Sequence, residues 1–247
     1  MTLPKHSKSW DKLKPPLRPT SDTAQQMRNL CSDGDTLLLG VTPEFYPLFT
    51  NLIGTDSNPK MVDTIWPGNT DNKTAFVLDW TTMEWHAEMF DTIIGDGGLT
   101  MLGNLDRMRN FVTKCQTWLK PNGTFIHRLF ERPDVLEDVF NTNNLGWNAF
   151  KWRLVYFLAN ANNGPVPLAD VKDLFDEAFP DRELLAAETG WSIDSINTID
   201  LYEGISTVTF IPNRAQWSSI IDCEFVKTKG YDLAETCPLM IWRKDGI

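Results

Sequence analysis

Short apolar runs alternate with amphipathic segments along the first 130 residues of the chain. Each run has the length of a β-strand, and the segment after it spaces its apolar residues as one face of a helix does. Strands that alternate with helices form parallel βαβ units with right-handed crossovers. The predicted strands are residues 36–39, a second that ends at 54–56, then 75–78, 90–94 and 124–129; the predicted helices are residues 21–30, 45–53, 58–65 and 102–119.

The alternation changes after Phe130. Residues 133–205 are predicted to be largely helical, and they are too long for a simple crossover, so we interpret them as an inserted helical cap. The chain then returns to the sheet with a helix at 213–221 and strands at 223–228 and 238–243.

The last two strands are separated by only ten residues, 228–237, which leaves little room for a parallel crossover and predicts an antiparallel pair. The sequence therefore predicts an α/β fold with a mainly parallel seven-stranded sheet, an antiparallel last strand and the inserted cap. A length of 247 residues fits one large domain. We predict an N-terminal arm at residues 1–20 and a single domain at residues 21–247 that includes the cap.

Charge limits the kinds of partner that the protein is expected to bind. Five basic residues lie between Lys5 and Arg18, but the net charge is −10 and the pI is about 4.8. An acidic protein is poorly suited to neutralising a phosphate backbone, so we expect no nucleic-acid partner and interpret the basic stretch as a solvated arm. Trp10 is the one large apolar side chain of this arm.

Composition indicates a folded protein of the cytoplasm. A hydrophobic fraction of 42% and ten tryptophans are ample for a packed core. No apolar run reaches the ~18 residues of a membrane span, and the N-terminus has no apolar signal core. The four cysteines form no CxxC pair, so we expect neither a metal site nor a disulfide framework.

Ligands of open α/β sheets bind beyond the carboxyl ends of the strands, so the residues that follow the predicted strands are the candidate site. Gly40, Thr42 and Pro43 follow the first strand. A glycine admits close approach to the backbone, and a helix that starts here can bind a carboxylate with its free N–H groups, but one glycine is a poor cradle for a diphosphate. Asp56 follows the second strand, where a carboxylate can accept both hydroxyls of a ribose.

The later strands add further candidates. Asp79 and Trp80 follow the third strand; an acid can accept from an exocyclic amine, and an indole can stack on a flat heterocycle. Gly95 and Asp96 follow the fourth strand, where a reacting group can approach the backbone closely. His127 lies near the end of the fifth strand, and Arg128 follows it.

Each candidate also has a structural interpretation. Asp56 and Asp79 suit caps of the helix or turn that follows them, Trp80 suits the core, and Asp96 suits a turn. His127, within an apolar strand, is more typical of a satisfied core histidine than of a base. The acids after strands two, three and four converge on one edge of the sheet, and this convergence favours the functional interpretation.

Four segments of the chain resemble motifs of the class I S-adenosylmethionine-dependent methyltransferases. The resemblance covers residues 36–130 and the final hairpin at 223–243. The matching segments are GTDSNPKMV for the second strand, FVLDWTTMEW for the third, FDTIIGDGGLTML for the fourth and LKPNGTFIH for the turn into the fifth.

The resemblance implies a Rossmann-like methyltransferase fold, S-adenosyl-L-methionine as the cofactor, and methyl transfer to a small-molecule acceptor. By this resemblance Asp56 holds the ribose, Asp79 and Trp80 lie beside the adenine, and Gly95 and Asp96 contact the methionine end. Asp96 is then the first candidate for a base, with His127 second, and Arg128 is a candidate to bind an acidic substrate group.

The first motif departs from the family, because the chain has Leu38-Leu39-Gly40-Val41-Thr42-Pro43-Glu44 where the family has a glycine-rich turn. Gly40, Thr42 and Pro43 would then hold the amino-acid end of the cofactor, helped by Arg18 if the arm folds over the site. No Asn-Pro-Pro-Tyr-like segment follows the fourth strand, which disfavours an amino-methylase of nucleic acid.

Two other functions stay open. The irregular first motif is compatible with a catalytically silent cofactor-binding module that regulates or scaffolds a partner. A dehydrogenase that binds a nicotinamide dinucleotide would also use Asp56 for a ribose, although the missing glycines disfavour it.

Overall fold

Seven strands form one sheet in the computed structural model, which describes residues 10–246. The strands of the chain are β1 (Asp35–Leu39), β2 (Asn51–Asp56), β3 (Lys73–Val77), β4 (Phe90–Asp96), β5 (Leu119–Arg128), β6 (Pro165–Pro167), β7 (Val208–Phe210), β8 (Glu224–Val226) and β9 (Leu239–Arg243). The order in the sheet is β3-β2-β1-β4-β5-β9-β8, and β6 and β7 form a separate antiparallel pair.

The strands from β3 to β5 are parallel to one another, and β9 lies antiparallel between β5 and β8. The predicted fold class is confirmed, including the antiparallel last strand. The short connection explains this strand, because the residues between β8 and β9 hold only a 3₁₀ turn at Ala234–Thr236 and cannot carry the chain across a sheet face.

Helices cover both faces of the sheet. The α-helices are α1 (Ser21–Asn29), α2 (Pro59–Ile65), α3 (Leu105–Trp118), α4 (Trp147–Ala161), α5 (Leu168–Ala178), α6 (Arg182–Thr189), α7 (Ile193–Ile196) and α8 (Arg214–Ile220). Leu37, Leu38 and Leu39 of β1 are at most 1% exposed, as expected for a parallel strand buried on both faces. Leu37 and Leu39 pack in a cluster with α3 and α8, whereas Leu38 packs in another with α1 and α2.

The helix predicted at residues 45–53 is wrong. Pro43–Leu48 form a 3₁₀ helix, and β2 has already begun at Asn51. Pro47 lies inside the 3₁₀ segment and has no N–H to donate, so a regular α-helix cannot continue through it. The last apolar residues of the run pair with β1 instead.

The cap is a third hydrophobic cluster, built between β5 and α8. It contains α4–α7, the 3₁₀ helix Asn197–Tyr202 and the β6–β7 pair. Tryptophan and phenylalanine side chains dominate its core, for example Trp147 packed edge-on against Phe175 with ring centroids 5.3 Å apart. Arg132 joins the cap to α8, because its guanidinium donates to Asn163 in the cap and to Gln216 of α8.

The described part of the N-terminal arm packs against the body of the protein. Trp10 and Leu13 are buried, and they belong to the same cluster as Leu38. The side-chain amide of Asn148 in α4 donates to the Lys12 carbonyl at 3.3 Å. Residues 1–9, including Lys5 and Lys8 of the predicted basic stretch, lie outside the described residues, and the division into arm and domain stays a prediction.

Residues 10–246 contain neither a helix suited to a membrane nor a cluster of metal-binding side chains. None of their helices combines the length and the hydrophobicity that crossing a bilayer requires. In the same range, no three His, Cys, Asp or Glu side chains gather in a group suited to a metal ion.

Candidate functional site

A cavity of about 480 Å³ opens at the carboxyl ends of β1, β2 and β4. β1 has β2 on one side and β4 on the other, so the chain reverses its direction of strand addition here. This switch point is where open α/β sheets bind ligands. Six of the ten predicted site residues line the cavity: Gly40, Thr42, Asp56, Asp79, Trp80 and Asp96.

Gly40 shapes the turn after β1. Its φ of +98° favours glycine, and its N–H and carbonyl are bonded to Thr55 of β2 at 2.8 and 3.3 Å. A Cβ at this position would meet nothing nearer than the Thr42 hydroxyl oxygen at 3.9 Å, so the glycine faces open space. Its N–H is therefore engaged, but its surface is open to a ligand. Pro43 begins the 3₁₀ helix and does not line the cavity.

Asp56 ends β2 and carries the most perturbed carboxylate of the cavity wall. One oxygen accepts from the Asn58 N–H at 2.8 Å, and the other has no partner among residues 10–246. Burial raises the pKa of this carboxyl to about 6, because the charged form loses solvation and a single N–H only partly compensates. A buried acceptor with a free oxygen is suited to the hydroxyls of a ligand.

Asp79 caps the turn that follows β3, which is one of the two roles that the sequence allowed, and it also lines the cavity. One carboxylate oxygen accepts from both the N–H and the hydroxyl of Thr81, each at 2.8 Å. The Thr81 N–H, followed by its hydroxyl, holds the pKa of Asp79 below its usual value. The other oxygen accepts no hydrogen bond from residues 10–246.

Trp80 is both a packing residue and a wall of the cavity. Its ring stacks on Phe111 with centroids 5.5 Å apart and an interplanar angle of 12°, and its indole N–H donates to the Thr55 carbonyl at 3.2 Å. A Cβ on Gly98 would lie 2.5 Å from this ring, so the glycine makes room for it.

Asp96 is paired with a buried arginine, and this corrects its predicted role as a free base. β4 and β5 are in register at Asp96 and Arg128, and both carboxylate oxygens accept from the guanidinium, one of them at 3.0 Å. The Asp96 side chain is 5% exposed and that of Arg128 is fully buried. The same pairing corrects the prediction that Arg128 binds an acidic substrate group, because its charge is already matched.

His127 does not reach the cavity, so its predicted role as a base is wrong. The ring is fully buried, and its Nδ1 lies 2.8 Å from the Arg128 carbonyl, to which it donates. Burial lowers the pKa of His127 to about 3, so the imidazole is neutral. Gly95 also misses the cavity. A Cβ at Gly95 would lie 2.5 Å from the imidazole, so this glycine accommodates His127 rather than a ligand.

The arm reaches the cavity through Trp10 and Leu17, but not through Arg18. The Arg18 guanidinium forms an ion pair with Glu44 in the 3₁₀ helix and lies 5.3 Å from the centroid of the Trp10 ring. Two side chains of the arm thus line the cavity, whereas Arg18 is engaged elsewhere.

Sequence reasoning missed two sides of the cavity. On one side, α3 contributes Arg107, Asn110 and Lys114, which lie on the helix face opposite the apolar stripe. On the other side the cap contributes several large side chains. The cap-side residues are Phe130, Trp152, Leu168, Tyr202 and Thr209. Trp152 lies in the predicted helical cap, where an aromatic residue suits either the core or a pocket; the other residues gave no local signal in the sequence.

Comparison with known proteins identifies the fold. No family model matches the sequence, and no curated protein matches it. A Rhodobacter sphaeroides protein described as a zinc-dependent alcohol dehydrogenase is similar in structure, with a TM-score of 0.63 and 12% identity over 96% of this chain and 95% of that one.

Two methyltransferase structures also match over nearly their whole length. A SAM-dependent methyltransferase from Methanosarcina mazei has a TM-score of 0.53 and 12% identity over 90% of this chain and 98% of that one. The N-methyltransferase NodS from Bradyrhizobium japonicum, in complex with S-adenosyl-L-homocysteine, has a TM-score of 0.52 and 12% identity over 99% of each chain. With the strand order and the antiparallel last strand, these likenesses identify a Rossmann-like fold that this chain shares with the two methyltransferase structures.

Proposed function

We propose that this protein binds S-adenosyl-L-methionine and transfers its methyl group to a small-molecule acceptor. One observation carries the proposal: Asp56 and Asp79, which follow adjacent strands, line a single cavity with Trp80 at the switch point of the sheet. Carboxylates and an indole in this arrangement suit the ribose and the base of an adenosine.

The turn after β1 fits a lone amino-acid group better than a diphosphate. The Gly40 N–H is bonded to Thr55, and Pro43 provides no N–H at the start of a 3₁₀ helix of six residues. Few free N–H groups remain here to hold phosphate oxygens. The open space beside Gly40 still lets a compact ligand approach the backbone.

Three residues would hold the adenosine. The free oxygen of Asp56 would accept from the ribose hydroxyls, and the free oxygen of Asp79 would accept from the exocyclic amine. The Trp80 ring, fixed by Phe111 and by its hydrogen bond to Thr55, would border the adenine. Each group is already held in place, so little side-chain entropy is lost when the ligand binds.

The cofactor supplies, when bound, a methyl group on a positively charged sulfur; the acceptor's lone pair forms the new bond to carbon while the C–S electron pair goes to sulfur, which leaves S-adenosyl-L-homocysteine. The chain's own contribution is position and exclusion of water. Trp10 from the arm and Trp152 from the cap both line the cavity and help to exclude water from it. Positioning alone can supply about 7–11 kcal/mol of a barrier.

Neither of the two predicted bases is available to the acceptor. Asp96 is bound to Arg128, and His127 is outside the cavity, so a proton on the acceptor would leave to water or before binding. This favours acceptors whose attacking atom is unprotonated or weakly basic.

Calorimetric titration with S-adenosyl-L-homocysteine and, separately, with NADH tests the cofactor. We expect the thioether to bind at least about tenfold more tightly than the dinucleotide, because the turn lacks donors for a diphosphate. Tight NADH binding without a response to the thioether would refute the proposal in favour of a dehydrogenase.

A second candidate function is a catalytically silent module that binds the cofactor and regulates a partner. The pairing of Asp96 with Arg128 favours this candidate. Asp96 is the acid expected nearest the reaction centre, and its carboxylate is already bound by the guanidinium. Incubation with methyl-labelled S-adenosyl-L-methionine and a panel of small molecules separates the two. Label in any panel member supports the enzyme, whereas saturable cofactor binding with no transfer supports the module.

A further inference from the structure

The cap-side half of the cavity is lined by large apolar and aromatic side chains from separate elements. Trp10 comes from the arm, Phe130 follows β5, Trp152 lies on α4, Leu168 begins α5, and Tyr202 ends the 3₁₀ helix Asn197–Tyr202. All five are at most 9% exposed. Aromatic walls of this kind favour a flat ligand that can lie between ring faces.

The charged residues of the described cavity wall lie mostly at the other end. Asp79, Arg107 and Lys114 surround the Trp80 side, where the Lys114 ammonium also contacts the Thr81 carbonyl at 3.4 Å. Asp56 is held at the end of β2 on the same side. Among the described lining residues near the cap, only Asp96 carries a charge, and the buried Arg128 neutralises it.

The aromatic wall is also poorly suited to a cationic ligand. Phe130 packs against Trp152 with ring centroids 4.2 Å apart, and the Arg128 guanidinium lies 5.5 Å from the Phe130 centroid. The ring's attraction for a cation is thus already used by a buried arginine, so a second cation there would gain little. A neutral ligand suits this half of the cavity better than either an anion or a cation.

One hydroxyl on this wall is available for hydrogen bonding. Thr100 donates to the Gly97 carbonyl at 3.0 Å, and Thr209 donates to the Thr100 carbonyl at 3.1 Å. The Tyr202 hydroxyl, in contrast, has no hydrogen-bond partner among residues 10–246, although Tyr202 is 5% exposed and lines the cavity. A hydroxyl that reaches the cavity surface without a protein partner is free to donate to a ligand.

A buried lysine lies close to the Tyr202 ring. The Lys151 Nζ lies 5.4 Å from the Tyr202 ring centroid and 3.3 Å from the Thr198 hydroxyl. Burial raises the pKa of the Tyr202 hydroxyl above its usual value, so the group stays protonated and can donate.

We infer that the methyl acceptor is a neutral, flat, aromatic molecule whose polar substituent accepts a hydrogen bond from the Tyr202 hydroxyl. This inference rests on the proposed function, which assigns the cofactor and the methyl transfer, and it adds the chemical class of the acceptor. The acceptor ring lies against the wall that Trp10, Phe130 and Trp152 form, while the Tyr202 hydroxyl fixes its orientation.

Four naphthalene probes test the inference: 2-naphthol, naphthalene, 2-naphthoate and 2-naphthylmethylammonium. Their binding is measured by ligand-observed NMR with the wild-type protein, with and without saturating S-adenosyl-L-homocysteine. We expect 2-naphthol to bind at least about tenfold more tightly than either charged probe, because charges lose solvation in an uncharged pocket. Tyr202→Phe should weaken 2-naphthol about tenfold, the loss of one hydrogen bond, and change naphthalene less than about twofold.

Tyr156→Phe is the matched control. Tyr156 is also a buried tyrosine of the cap, but its hydroxyl is bonded to the Thr236 hydroxyl at 2.8 Å, and it does not line the cavity. This variant should leave the binding of all four probes unchanged, even if it lowers stability.

Equal or tighter binding of a charged probe would overturn the inference, and so would an unchanged affinity of Tyr202→Phe for 2-naphthol, or a failure of every probe to bind. The proposed function is judged separately, by the titration with S-adenosyl-L-homocysteine alone. The probes are measured without the thioether as well, so the acceptor pocket is tested even if the cofactor assignment fails.

Discussion

Asp56 and Asp96 are acids at the same edge of the sheet, yet their surroundings give them different roles. Asp56 has one N–H partner and lies in a partly buried position, so its charge is poorly compensated and its pKa rises to about 6. Asp96 meets a guanidinium with both oxygens, so its charge is fully matched. The first arrangement leaves an acceptor for a ligand, and the second builds a rigid floor under the cavity.

Asp56→Asn should weaken the binding of S-adenosyl-L-homocysteine at least about tenfold, because an amide oxygen is a poorer acceptor for two ribose hydroxyls. In the wild type, affinity should also fall about tenfold between about pH 7.5 and about pH 5, since protonation of a carboxyl with a pKa of about 6 removes its charge. In the variant this pH dependence should be lost. Calorimetry across the pH range measures both effects.

Asp63→Asn is the control for Asp56, because Asp63 is an exposed acid on α2, directly after β2. It should bind the thioether as the wild type does at every pH. An unchanged affinity of Asp56→Asn would show that Asp56 only caps α2 and does not contact the ligand.

Asp96→Asn should lower the free energy of unfolding by about 3–5 kcal/mol, because it leaves the buried Arg128 without a counter-charge. Exchanging both partners, as Asp96→Asn with Arg128→Met, should recover part of that loss. Asp106→Asn breaks an exposed pair with Arg109 and should change the free energy by less than about 1 kcal/mol. Urea unfolding measures all three; a fully stable Asp96→Asn would contradict the ion-pair interpretation.

The sequence could predict which acids meet at the edge but not what each acid touches. Asp56, Asp79 and Asp96 follow strands, and parallel strands end on one edge, so their convergence follows from the pattern alone. The pairing of Asp96 with Arg128 depends on the register of β4 against β5, and residues 32 apart in sequence give no local sign of it. The burial of His127 depends on Gly95 in the neighbouring strand.

At the scale of elements, the turns that follow the strands decide the shape of the site. The turn after β4 passes through Gly97 at a φ of +66° and enters the 3₁₀ helix Gly98–Leu102. Phe130 fills the space that a side chain on Gly97 would need, with its ring 2.5 Å from the expected Cβ. This turn therefore holds a cap-side wall of the cavity against the sheet.

Gly97→Ala should destabilise the protein more than Gly190→Ala does, although both glycines have a positive φ. Gly190 ends α6, where a Cβ would meet nothing within 4 Å, so its substitution costs only backbone strain of about 1 kcal/mol. Gly97→Ala adds a clash with Phe130 and should cost at least about 1–3 kcal/mol more. Thermal unfolding measures the difference; equal effects would mean that Phe130 moves freely.

Element types were predictable where a strong period or a short connection fixed them. The period of α3 and the ten-residue connection before β9 are local properties, and both predictions hold. The segment after β1 has apolar residues without a clean period, and only Pro47 indicated that an α-helix cannot continue through it. The cap was predictable as helical, but its faces toward the cavity depend on packing between distant elements.

At the scale of the whole molecule, the arm joins two hydrophobic clusters that would otherwise meet only at the sheet edge. Arg18 pairs with Glu44 on the sheet side, and the Lys12 carbonyl accepts from Asn148 on the cap side. Trp10, whose ring centroid lies 5.3 Å from the Arg18 guanidinium, forms part of the cavity wall. The arm is thus positioned to slow the release of a ligand, in addition to stabilising the fold.

Trp10→Ala should raise the dissociation rate of S-adenosyl-L-homocysteine at least about tenfold, because it removes a wall of the cavity without touching Asp56 or Asp79. Leu13→Ala is the matched control: Leu13 is 2% exposed in the same arm and packs in the same cluster, but does not line the cavity. Both variants should lose about 2–5 kcal/mol of stability. Stopped-flow displacement should show faster release only for Trp10→Ala, since equal acceleration in both would mean that the arm acts through general stability and not as a wall.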